Sequence, residues 1–441
     1  MSPSFALPAG PSPTDKVAMQ FAQQMAQGKF ALATKSFDAL MTKAMPEQQL
    51  SDLWQALVTN HGPFKAFGTM RNEPFGPFKI FFVPATFGAQ TLDFKVVVNS
   101  AGKIGGFFIV PHTDKVAAVA AKSAPAAANP SDPFEEVATK VVCGPYSLDG
   151  LWTLPKTAAP YPALILVHGS GPGDRDQTIG FNKPFKDLAQ GLAAQGIAVL
   201  RYDKRTKQYG TTLDANALTV QEESIDDALA AVKLAQSNTK IDASRVFVLG
   251  LSLGGMLLPR IAEQAPAIKG GIVMAGSTRP LEDLLVEQTE YILKLSPHTS
   301  EGDKLLAEVK EKVKTVKSKD LSPDTPLDQL PLNVPGKYWL DLRGYDPVAV
   351  MQKTSQPMLI LQGGRDYQVT VDGDYSRWLT LGQNSHSSDQ VSRFTFKLYP
   401  NLNHIFAPGQ GMATPAEYMT KPAHVDKMVI DDIANWIKSL N

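Results

Sequence analysis

Residues 246–255, Val-Phe-Val-Leu-Gly-Leu-Ser-Leu-Gly-Gly, run a string of apolar strand formers straight into a serine flanked by glycines. A Gly-x-Ser-x-Gly turn passes a strand sharply into a helix, because Gly250 and Gly254 lack the Cβ atoms that would obstruct a strained serine backbone. Such a turn lifts the hydroxyl of Ser252 to the C-terminal edge of a sheet, within reach of a bound carbonyl. An ordinary glycine-rich turn could share the pentapeptide, so the rest of the chain must supply a base, an acid and an oxyanion site in a workable order.

Three stretches supply them. Met358–Leu361 is a strand-like run followed by Gln-Gly-Gly-Arg-Asp, which puts Asp366 just beyond a strand end. Phe394–Leu398 is followed by Tyr-Pro-Asn-Leu-Asn-His, which puts His404 in the next such loop. A neutral serine hydroxyl is a poor nucleophile; a histidine removes its proton during attack, and a carboxylate fixes the imidazole tautomer and stabilises the imidazolium. The order Ser252, Asp366, His404 is the order of the α/β-hydrolase fold. Upstream, the strand Leu164–Val167 runs into His168-Gly169-Ser170-Gly171-Pro172. Backbone N–H groups in that loop, with that of Leu253 after the nucleophile, would bind an oxyanion. Ser170 is assigned as the loop donor, with Gly169 as the alternative, and His168 as a residue that shapes the loop.

Organisation along the chain agrees with this reading. Residues 1–13 read as a disordered lead-in. Residues 14–112 read as a small α+β domain: Val17, Phe21 and Met25 share one helix face, Leu50, Leu53, Trp54 and Leu57 share another, and short strand-like runs follow between Phe64 and Val110. Residues 113–133, rich in Ala and Pro, read as a linker. From residue 134 to 441 strands and helices alternate, the mark of a mainly parallel sheet with helices on both faces. An insertion at about 277–345 interrupts the rhythm and is expected to form a helical lid, with Tyr291, Tyr338, Trp339 and Tyr345 either lining the site or forming the lid's own core. Its charged run Lys304–Lys319 has an apolar stripe at Leu305, Leu306, Val309, Val313 and Val316 and reads as a helix with one solvated face.

Several motifs resemble, as a set, the α/β-hydrolases of the bacterial EstD esterase kind. They are His168–Asp176, Arg201–Thr206, the serine elbow, Gly276–Leu281, Gln362–Val369 and Tyr399–His404. Gly102–Pro111 carries a resemblance to the domain of unknown function that precedes the hydrolase in such proteins. The resemblance implies hydrolysis of carboxylic esters, with Ser252, Asp366 and His404 as the triad and no metal or other cofactor. One departure is Leu251, where many relatives carry a histidine; it changes the lining behind the nucleophile and leaves the triad intact.

Other classes find less support. Lys plus Arg and Asp plus Glu are equal at 43 each, so bulk charge offers nothing to nucleic acid or an anionic membrane. No apolar run approaches the roughly 20 residues of a membrane span, and no basic segment precedes an apolar one at the start as in a signal peptide. The compartment is left open between a cytoplasmic chain and the mature form of an exported bacterial protein. Cys143, the single cysteine, reads as a small buried apolar residue. His61, His112, His386 and His424 read as structural or exposed, and Asp372 and Asp374 as rivals of Asp366 lying further from the strand end. Asp174, Arg175, Asp176, Asp203 and Arg205 read as a supporting salt-bridged framework rather than substrate contacts. The expected partner is a small-molecule ester with a short to medium acyl chain, and a homodimer is an assembly left open. The same machinery would serve an aminopeptidase, thioesterase or lactonase, and the N-terminal domain could instead bind a ligand or partner.

Overall fold

The computed structural model describes residues 13–75, 78–88, 90–99, 102–112, 131–210, 212–295, 298, 300–384, 393–415, 417–420 and 422–440. The lead-in up to residue 12, the linker from 113 to 130 and His386 lie outside them. Two compact units divide the chain, one N-terminal and one spanning most of the remainder.

The N-terminal unit begins with helices and ends in a sheet. Helices Pro13–Ala26 and Glu47–His61 bury Phe21 and Met25, and Leu50, Leu53, Trp54 and Leu57. The antiparallel strands are β1 (Phe64–Phe67), β2 (Arg71–Phe75), β3 (Phe78–Phe87), β4 (Gln90–Val98) and β5 (Ile104–Pro111). They run in the order β1-β3-β4-β5, with β2 also paired to β3. Phe94 joins the layers, its ring 5.4 Å from Phe107 and 6.4 Å from Trp54 in edge-on contacts. Asp93, fully buried, is satisfied by the Arg71 guanidinium at 2.5 Å and by His112 at 2.9 Å. His61 meets Gln90 at 2.9 Å.

The second unit is built on eight strands: β6 (Phe134–Cys143), β7 (Tyr146–Pro155), β8 (Tyr161–Val167), β9 (Ala198–Tyr202), β10 (Ile241–Leu251), β11 (Gly270–Met274), β12 (Met358–Gly363) and β13 (Phe394–Tyr399). Their order is β13-β12-β11-β10-β8-β9-β7-β6. From β13 to β9 every pairing is parallel, whereas β7 is antiparallel to both β9 and β6. β9 lies on one side of β8 and β10 on the other, so the chain reverses its direction of travel across the sheet at β8. In an open parallel sheet that reversal parts the loops above the carboxyl ends and leaves a crevice.

Both faces are covered, which is why the buried stretches of the central strands, such as Leu164–Val167, Val246–Leu249 and Met358–Leu361, are apolar. Helices Asp226–Gln236 and Leu253–Gln264 bury Ala228, Ala231, Val232, Met256, Leu257 and Ile261 on one side. Helices Pro184–Ala193 and Lys427–Ser439 bury Phe185, Leu188, Leu192, Val429, Ile433 and Trp436 on the other. Each fully buried Leu, Ile, Val or Phe contributes about 1.5–3 kcal/mol.

Two local differences from the sequence reading have physical causes. The expected single helix Val220–Ser237 opens with a wide π-type turn at Gln221–Ile225, where Glu223, Ser224 and Ile225 are buried. Cys143 is only partly buried, because it ends the sheet's outermost strand; its Sγ accepts from Arg205 at 3.3 Å. Burial first, then the Asp227 carboxylate, pushes that thiol upward, away from thiolate reactivity.

Candidate active site

β10 delivers Ser252 into the elbow at φ 55° and ψ −116°, a left-handed conformation that a serine adopts only under constraint. The constraint is close packing. A Cβ on Gly250 would lie 2.1 Å from the carbonyl oxygen of Gly254, and one on Gly254 would lie 2.5 Å from that of Val167. Ser252 N–H donates to Met274 O at 2.9 Å, tying the turn to β11. Ser252 is half-buried and opens helix Leu253–Gln264, whose first N–H groups have no intrahelical partner and whose dipole favours negative charge.

Asp366 and His404 meet. His404 Nδ1 lies 2.7 Å from Asp366 Oδ2, and both side chains are nearly excluded from solvent. The carboxylate is held from every side: Oδ1 accepts from the N–H groups of Gln368 (2.8 Å) and Val369 (3.0 Å), and Oδ2 from Gln362 Nε2 at 3.2 Å. Asn403 shapes the histidine loop, its Oδ1 accepting from the N–H groups of Ile405 and Ala407. Arg365 joins the acid loop to the segment after His404, donating to Gly411 O and Gln410 O.

The rival residues are occupied elsewhere. Asp374 is fully buried and accepts from Ser277 Oγ (3.0 Å), Thr278 N–H (2.9 Å) and Arg279 Nη2 (2.7 Å). Asp372 is exposed, and His424 is an exposed partner of Asp187.

The loop after β8 packs against the elbow, for a Cβ on Gly169 would sit 3.3 Å from Ser252 Cβ. His168 is buried beneath the loop with Nε2 3.0 Å from Asp174 O; burial first, then the Lys204 ammonium, pushes its pKa down to about 3. The imidazole is therefore neutral and shapes the loop. The acidic and basic residues beyond it form a framework. Arg175 pairs with Asp203 at 3.0 Å, Asp176 with Lys183 and the buried Arg201, Arg201 also with Glu136, and Arg205 with Asp227. Ser170 stands exposed on this loop.

Sequence reasoning missed three residues here. Lys204 is buried with Nζ 2.9 Å from Gly169 O. Gln177, at φ 53°, is buried with its Oε1 unpartnered and its amide against Gly169 and Gly173. Gln362 braces Asp366. The signals were faint: a lysine after a strand end, and glutamines in a loop and at the end of a strand.

The insertion after β11 comprises helices Leu281–Lys294, Ser300–Lys317 and Gly336–Leu342, among others. Tyr338 and Trp339 are core, and the Tyr345 hydroxyl donates to Met256 O at 2.6 Å. Tyr291 instead stacks on Tyr367, the neighbour of Asp366, at 4.8 Å, while its hydroxyl donates to Ala413 O. Gln288 of the same helix donates to Gln368 O at 3.0 Å. Among the described residues no group of three or more His, Cys, Asp or Glu could hold a metal ion, and no helix is long and apolar enough to cross a membrane.

Comparison with known proteins agrees with the architecture. Residues 18–107 match a protein family of unknown function, DUF3887, and residues 164–411 match the alpha/beta hydrolase family. Esterase EstD of Thermotoga maritima is 36% identical over 425 residues, covering 96% of this chain and 95% of that protein. Among solved structures, Est1E from Butyrivibrio proteoclasticus aligns at 15% identity, with a TM-score of 0.44, over 69% of this chain and 98% of its own. A Pyrococcus furiosus esterase aligns at 16% identity, with a TM-score of 0.45, over 72% and 96%. The chain belongs to the alpha/beta hydrolase family, and shares with EstD a likeness that spans nearly its whole length.

Proposed function

We propose that this chain is a carboxylesterase that acts on small-molecule esters through an acyl-enzyme on Ser252. The observation that carries the reading is the 2.7 Å contact between His404 Nδ1 and Asp366 Oδ2, in loops at the same sheet edge as the strained elbow. With Nδ1–H donated to the carboxylate, Nε2 is left as the base. Ser252 Oγ attacks the ester carbonyl carbon as its proton passes to His404 Nε2. The carbonyl oxygen gains negative charge and is met by the N–H groups of Leu253 and Ser170. Collapse of the tetrahedral intermediate breaks the bond to the alkoxy oxygen, which leaves as the alcohol with the proton from His404. Water, deprotonated by His404, then attacks the acyl-enzyme, and the acid departs as Ser252 regains its proton. Asp366 holds the imidazole in one tautomer and stabilises its charged form throughout. An esterase relative of this identity supports ester rather than amide substrates.

The test is Ser252→Ala against a short-chain aryl ester. Turnover should fall by about 10⁶. A clean preparation of the variant that keeps more than about a tenth of wild-type turnover refutes the nucleophile assignment.

A further inference from the structure

The peptide unit joining Gly169 to Ser170 carries two groups at once: the carbonyl of Gly169 and the N–H of Ser170. In a trans peptide the two point in opposite directions, so whatever binds the carbonyl also decides where the N–H points. Here the carbonyl is bound by a cation. Lys204 Nζ donates to Gly169 O at 2.9 Å and lies 3.1 Å from Glu223 Oε1, with the lysine only 1% exposed. Glu223 is buried too. Its Oε2 accepts from the Tyr338 hydroxyl at 2.8 Å, in helix Gly336–Leu342, and its Oε1 from Thr206 Oγ1 at 3.3 Å.

A buried ammonium is costly, and an ion pair with one carboxylate offsets that cost only when the remaining protons also find acceptors. An apolar side chain of similar volume could fill the same space without that cost. What an ammonium adds is a charge-assisted hydrogen bond, about twice as strong as a neutral one, on one particular peptide. Withdrawing electron density through that carbonyl makes the N–H of the same amide a stronger donor, because hydrogen bonds in series polarise one another.

We propose that Lys204 is a positioning residue for the oxyanion site: its ammonium orients and polarises the Gly169–Ser170 peptide so that Ser170 N–H meets the developing oxyanion, while Glu223, braced by Tyr338, holds the ammonium in place. This rests on the Ser252 acyl-enzyme mechanism above. The oxyanion exists only in the transition state and intermediate, so the effect falls on kcat and leaves KM nearly unchanged.

The experiment compares the full chain with Lys204→Met, of similar length but without charge or donor, and Lys204→Gln, a neutral donor. Each is assayed on a short-chain p-nitrophenyl ester and by the rate of labelling with a fluorophosphonate, whose phosphoryl oxygen uses the same donors. kcat should fall about 10²-fold in the methionine variant and about tenfold in the glutamine variant, with KM within about twofold and labelling slowed in parallel. A folded neutral variant whose kcat stays within about threefold of wild type overturns the proposal, as does one that loses activity through KM alone. If the methionine variant fails to fold, the glutamine variant decides by the same criteria. Mass spectrometry of the labelled wild type keeps the two readings apart. A label on Ser252 leaves the nucleophile standing whatever Lys204 does, and a label elsewhere removes both.

Discussion

Acid weakens this fold through His168, a histidine outside the proposed chemistry. The side chain is buried between Phe185 and Tyr202, each ring centroid 5.3 Å away, and burial together with the Lys204 ammonium lowers its pKa from 6.5 to about 3. As pH falls through about 6.5 the unfolded chain takes up a proton that the folded chain refuses until about 3. Between those values the unfolded state binds more protons, so stability drops as pH drops, and above that window His168 imposes no loss. At about pH 4.5, two pH units below the unfolded value, the accumulated loss is about 3 kcal/mol at 1.36 kcal/mol per unit. The assay is urea unfolding of wild type and His168→Gln at about pH 7.5 and about pH 4.5. Carboxylates titrate in both proteins, so the difference of differences isolates the imidazole. The wild type should lose about 3 kcal/mol more than the variant on acidification. Equal losses would refute a neutral, solvent-excluded imidazole at this position.

Asp366→Asn should retain the fold, because Gln368 and Val369 can still donate to the amide oxygen, yet lower kcat by about 10⁴ through loss of the tautomer that keeps Nε2 free. Steady-state ester hydrolysis beside a thermal melt separates the two effects, and near-wild-type kcat would remove Asp366 from the mechanism. Gly254→Ala would set a methyl 2.5 Å from Val167 O and 2.7 Å from His168 O, both backbone atoms with no rotamer to escape through. A loss of at least 1–3 kcal/mol, roughly the usual cost of overpacking, is expected in a denaturant midpoint; an unchanged midpoint would mean that the elbow is looser than its geometry implies.

What could be read from the sequence was what local physics decides. β8 and β12 were legible because strands covered on both faces must be apolar along their whole length. The elbow was legible because its glycines answer to contacts that only a missing Cβ permits. The positions of Asp366 and His404 were legible because the first sits three residues past β12 and the second five residues past the strand-like run of β13. The π-type turn at Gln221–Ile225 was not legible, since helical periodicity continues through such a turn with only a phase shift. Lys204 and Glu223 were missed for the opposite reason: charged residues ordinarily signal solvent, and here the lysine is buried against Glu223, which is itself held by a tyrosine 115 positions further on.

The same distinction bears on the insertion. Of the four aromatic residues expected in the insertion, Tyr338, Trp339 and Tyr345 are held in its interior or against the hydrolase core. Tyr291 and Gln288 are different, for they touch the loops that carry Asp366 and His404 through Tyr367, Gln368 and Ala413. Side chains that brace the loops on either side of the Asp366–His404 contact cannot move without disturbing that contact. Substitutions in helix Leu281–Lys294 that remove the Tyr291 and Gln288 contacts will therefore lower kcat in steady-state ester hydrolysis, whereas those confined to its solvent face will leave it unchanged.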